Sequence, residues 1–145
     1  MSIPVPRPSS APSPSLLRAL RVKYALFFAT AFSAIWAFPP TLDQLTGHTY
    51  IVAWISILGI GALLAMVGSF HIVTLEAIGC TVEALALASY SAAFVIQAAT
   101  SDRAPLFYTL ALASLVWIVI PVWRSGDLWI YLYTRRRLRR RGLIS

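Results

Sequence analysis

Four residues recur at intervals of seven along one hydrophobic stretch, Glu76, Glu83, Tyr90 and Gln97, with Cys80 and Leu87 filling the same face between them. Seven residues are almost two turns of α-helix, so the stripe drifts by only about 20° per repeat. Two carboxylates so placed can act as acid and base, provided that groups nearby hold a substrate. They can bind a proton or a cation inside a membrane. They can also hydrogen-bond to other helices, within the chain or in a second copy. Depth separates the two: Glu76 lies within a turn of the end of the stretch and is expected to stay hydrated and tolerate change. Glu83 lies about 10 Å further in by helical rise and is expected to serve as a hydrogen-bond donor. No Lys or Arg falls within the apolar cores of the chain, so neither carboxylate is assigned a cationic partner.

The elements that must position this stripe follow from composition. The 145 residues are 59% hydrophobic and 12% charged, with a mean hydropathy of +0.75, which is outside the range of soluble domains. Apolar runs cover residues 18–38, 50–70, 74–99 and 106–123, each near the roughly 20 residues that span about 30 Å of hydrocarbon. They are apolar all round, without the period-two alternation of a membrane strand. The expected fold class is therefore all-α, an integral membrane bundle of four transmembrane helices with a C-terminal basic interfacial helix. Residues 1–15 (MSIPVPRPSSAPSPS) bury almost nothing and are expected to form a disordered arm. Residues 16–124 form the transmembrane domain and 125–145 a polybasic cytoplasmic tail. Pro39-Pro40 ends the first run, because proline removes a helical donor and clashes with the preceding turn. Reading that run as a cleaved signal, cut at Ala29-Thr30-Ala31, leaves a core of about five residues where roughly 7 to 15 are needed.

Charge sets the expected threading. Every Lys and Arg except Arg103 lies before Tyr24, where the apolar core of the first run begins, or after the fourth run, in a chain of net charge +7. The positive-inside rule then puts both termini in the cytoplasm, with the connection at Ser69 to Val73 on the same side and the loops Pro39 to Thr49 and Thr100 to Pro105 outside. Trp36, Tyr50, Trp54 and Tyr108 fall toward the outer ends of the spans, and Tyr24, Trp123 and Trp129 toward the inner ends, as headgroup anchors do. The expected location is the inner (cytoplasmic) membrane.

The second run offers packing surfaces at Gly59, Gly61, Ala62, Ala65 and Gly68, whose spacing of three or four lets another helix approach closely. Pro121 is expected to kink or end the fourth span, and Ser125-Gly126-Asp127 reads as a break followed by an N-cap. In the tail, Trp129, Tyr131 and Tyr133 precede Arg135, Arg136, Arg137, Arg139, Arg140 and Arg141, a pattern expected to hold anionic lipid headgroups at about 1 kcal/mol per basic residue. Following a span directly, the tail points to lipid and not to nucleic acid. Cys80, the single cysteine, cannot form an internal disulfide. His71 has no second metal-binding side chain at a suitable spacing, and the chain contains no phosphate-binding glycine loop and no nucleophilic triad pattern. Neither a cofactor nor an enzymatic activity is expected.

The patterns WISILGIGALLAMVG (Trp54 to Gly68), LEAIGC (Leu75 to Cys80), Tyr90 and WRSGDLW before a basic tail resemble small four-span membrane proteins encoded by bacteriophages of actinobacteria, some of them called holins. The resemblance covers most of residues 50–141. It implies a protein of the inner membrane that oligomerises into a lesion, and it transfers no catalytic residue. Two function classes follow. One is a non-enzymatic, holin-like module that associates with copies of itself or with other membrane proteins. The alternative is a small transporter or channel that uses Glu83 as a proton or cation site. Small four-helix multidrug exporters are a poor match for the second class, because their membrane glutamate lies in the first span.

Overall fold

The computed structural model describes residues 14–36, 47–100 and 102–142. Every regular element among them is an α-helix: α1 Pro14–Trp36, α2 His48–His71, α3 Val73–Thr100 and α4 Ala104–Arg140. The all-α class is as expected. Residues 1–13 of the expected arm 1–15, most of the loop Pro39 to Thr49 and the side chains of Trp36 and His71 lie outside the described residues, whereas Pro14 and Ser15, expected in the arm, form the start of α1.

Three helices are long and apolar enough to cross a membrane, within Thr49–Phe70, Val73–Thr100 and Pro105–Arg140; α1, which carries Arg18, Arg21 and Lys23, is not among them. The outward faces suit lipid. Val116, Ile96 and Leu85 are 70%, 66% and 65% exposed and belong to a much larger set of exposed aliphatic and aromatic side chains. Soluble monomers rarely display contiguous apolar surface on this scale, and a bilayer solvates it.

Small residues bring α2 and α3 together as a tight antiparallel hairpin. Ile72 alone separates the two helices; its backbone N–H donates to the Gly68 carbonyl at 3.0 Å and its carbonyl accepts from Glu76 N–H at 3.2 Å. A Cβ at Gly68 would collide with the backbone of Glu76, and one at Gly79 with the backbone of Ala65. With no hydrophobic drive between helices in lipid, this close backbone approach is a main source of association. Gly59 faces α1 instead, where a Cβ would lie 3.3 Å from that of Ala31. α1 runs antiparallel along α2: Ala31 packs with Ile51 and Ile55, and Leu20 and Tyr24 pack with Ala65. Arg21 donates to the side chain and the carbonyl of Ser69 while its guanidinium lies 4.2 Å from the centre of the Phe70 ring. α4 packs antiparallel on α3, with Phe107 and Ala111 against Phe94 and Ala98 at one end and Leu128 and Leu132 against Ala77 at the other. Phe27 meets Trp117 edge-on at 5.9 Å, which links α1 to α4.

α4 corrects one expectation. No break occurs at Ser125-Gly126-Asp127: the helix continues through Pro121 and these residues for 37 residues in all. The local breakers are overridden by contacts with α3. Pro121 is fully buried, and Arg124 and Ser125 are anchored by Glu76 and Thr81. Tertiary packing of this kind outweighs a proline or glycine in a helix interior, which costs roughly 3 or 1 kcal/mol. The arginines from Arg135 onward are thus the last turns of a long helix about 55 Å in length. Because Leu132 and Tyr131 pack beside Val73 and Ala77 near the start of α3, these turns stand past the end of the bundle. That end also holds the N-terminal part of α1 and the Ile72 turn.

Candidate functional site

The site is a polar cluster built where α1, α3 and α4 meet. On α3, Glu76, Cys80 and Glu83 project to one side at helical spacing, and all three are buried, at 3%, 0% and 0% exposure. α1 brings Lys23 and Tyr24 against them because Leu20 and Tyr24 are locked into the core beside Ala65. α4 brings Arg124, one turn after the buried Pro121. Lys23 Nζ donates to Glu83 Oε2 at 2.7 Å. Arg124 Nε donates to Glu76 Oε1 at 2.9 Å, and its Nη1 lies 3.6 Å from Asp127 Oδ2. Tyr24 O–H donates to the same Glu76 oxygen at 3.3 Å. A phenol has one proton, so the 3.2 Å contact between Tyr24 and Cys80 is completed by the thiol donating to the phenolic oxygen.

Both glutamates therefore have a cationic partner, which overturns the expectation that none lies within reach. Nor is Glu76 a hydrated interfacial group, since it accepts from Arg124 and Tyr24 in the bundle interior. Lys23 and Arg124 lie just outside the expected apolar cores, and the helices turn both side chains onto α3. Each carboxylate is matched by one cation, as burial requires: two opposite charges in a poorly polarisable medium are tolerable only when paired and hydrogen-bonded. A second polar link joins α3 to α4. Thr81 O–H donates to the Ala77 carbonyl, so Ser125 donates to Thr81 Oγ1 at 2.7 Å, and Trp129 Nε1 donates to that oxygen from 3.1 Å.

The remaining members of the stripe do not join the cluster. Tyr90 stacks on Trp54 at 4.3 Å and meets Phe94 edge-on, while Gln97 lines an open groove with Tyr50, Ser89 and Ile96. Between them and Glu83 lies an apolar layer of Leu58, Ala86 and Leu87 with Phe27, Trp54 and Ile118 packed against it. Gly61, Ala62, Ala65 and Gly68 are buried; a Cβ on Gly61 would come within 3.1 Å of Glu83 N, so this stripe backs the cluster directly. Arg135, Arg136, Arg137, Arg139, Arg140 and Arg141 are exposed. Among the described residues no group of His, Cys, Asp and Glu is placed to hold a metal ion.

No protein-family model, curated protein or solved structure matches the chain. Lys23, Tyr24, Arg124, Thr81 and Ser125 are the members of the site that sequence reasoning missed. The one signal that could have found Lys23 and Tyr24 is the lack of any helix breaker between Ser15 and Trp36, which allows a helix to carry both residues well inside its own length.

Proposed function

We propose that the chain is a non-enzymatic multi-pass protein of the inner membrane, holin-like as the phage resemblance implies, which associates with copies of itself. α1 is the remaining span, both termini are cytoplasmic, and the basic end of α4 holds anionic lipid headgroups. The observation that carries this reading is that each buried glutamate is charge-paired within the same chain, Lys23 on Glu83 and Arg124 on Glu76, leaving an apolar exterior. Contact between copies then falls to lipid-facing surfaces and not to the glutamate stripe. One such surface is the shallow groove between α1 and α2 formed by Phe28, Phe32, Ser56, Gly59 and Leu63.

The alternative of a small transporter or channel is favoured by a single feature, the Glu83 oxygen left without a partner. Against transport stands the apolar layer around Leu58, Ala86 and Leu87, which closes Glu83 off from one end of the bundle and interrupts any polar path through it. Timed expression in bacteria with a potential-sensitive dye separates the two. A lesion former gives abrupt depolarisation and killing once a threshold amount has accumulated. Undisturbed growth with a maintained potential contradicts the lesion-forming part.

A further inference from the structure

We propose that Glu83 is a proton-binding site of the membrane interior, loaded only from the end of the bundle that carries the arginines. The inference needs the helices to cross a bilayer and does not rest on the lesion-forming reading. Glu83 is fully buried, its Oε2 accepts from Lys23 at 2.7 Å, and its Oε1 has no hydrogen-bond partner among the described residues. Buried carboxylate oxygens are rarely left unmatched, and such an exception points to something the site takes up. A proton fits the geometry and a metal cation does not, because Lys23 already supplies the positive charge and among the described residues no group of His, Cys, Asp and Glu is placed to hold a metal.

The step balances simply. A proton from water joins Oε1, the carboxylate becomes a neutral acid, and the ion pair becomes a hydrogen bond from the ammonium to that acid. Lys23 keeps its charge, and its Nζ lies 4.8 Å from the centres of both the Tyr24 and the Phe27 rings, whose faces favour a cation. The surroundings give the site a direction. From the arginine end a ladder of polar side chains, Asp127, Arg124, Glu76, Tyr24 and Cys80, runs inward and stops one turn short of Glu83. On the far side lies the apolar layer around Leu58, Ala86 and Leu87. The charged and titratable groups about Glu83 are Lys23 and Tyr24 from α1, Cys80 and Glu76 from its own helix, and Arg124 of α4 acting through Glu76. α2 contributes the backbone at Gly61, which does not titrate.

The chain contains one lysine and two glutamates, so the wild-type protein can be assigned without substitution. With 13C at the glutamate carboxyl carbons and 15N at the lysine side chain, solid-state NMR in bilayers gives two carboxyl signals, and the one dephased by nitrogen is Glu83. Lowering the pH should move that signal from the carboxylate toward the acid position. Glu83→Gln should remove it while the Glu76 signal stays, and Lys23→Met should displace it alone. In sealed vesicles of uniform orientation it should follow the pH on the arginine side only. A lysine-coupled signal that remains a carboxylate down to the pH of unfolding, or that follows the pH on both sides equally, overturns the proposal.

Discussion

Lys23 and Glu83 illustrate why a buried ion pair resists single substitution more than double substitution. Removing either partner leaves an uncompensated charge in the bundle, a loss of about 3 to 5 kcal/mol in comparable buried pairs. Lys23→Met and Glu83→Leu are each expected to destabilise the protein on that scale, with the combined variant more stable than either alone, as measured by reversible unfolding in bilayer discs. A double variant as unstable as the sum of the singles would show that the two side chains do not act on each other. Glu76→Leu is expected to be as damaging as Glu83→Leu, because it strands Arg124 and removes the acceptor of Tyr24. From sequence alone only half of this cluster is legible. The seven-residue period puts Glu76, Cys80 and Glu83 on one face, but which way a flanking lysine or arginine points depends on helix register. A charge count places Lys23 and Arg124 beside the apolar cores whatever they touch.

The helices themselves are written in the apolar runs, and the ends of α2 and α3 fall within two residues of the expected limits. α4 is the exception, since its breakers are local signals and what overrides them is contact with α3. Gly126 tests this continuity. It has helical backbone and nothing within 4 Å of its Cβ position, so Gly126→Ala should stabilise the protein by up to about 1 kcal/mol. Destabilisation would indicate a glycine-dependent turn at that point. Gly79 gives the opposite expectation. A Cβ there strikes the Ala65 backbone, so Gly79→Val should force α2 and α3 apart and cost at least about 1 to 3 kcal/mol, the range for overpacked interiors. The same unfolding assay reads both variants.

At the scale of the whole molecule, the contacts gather Arg21, the Ile72 turn and the basic turns of α4 at one end. This is the arrangement that the positive-inside rule needs if that end is cytoplasmic. Stability should therefore rise when neutral bilayers are replaced by anionic ones, and the gain should shrink as salt screens the arginines. The central claim is a chain threaded with both basic ends inside and its charges paired within the bundle, and α1 is the helix on which the threading turns. If α1 crosses the membrane, the residues after it lie outside; if it rests on the inner surface, they lie inside and the later helices are all inverted. Reporter fusions after Gly47, Phe70 and Asp102 measure this directly. The account predicts outside, inside and outside in turn, and the reverse order would contradict it.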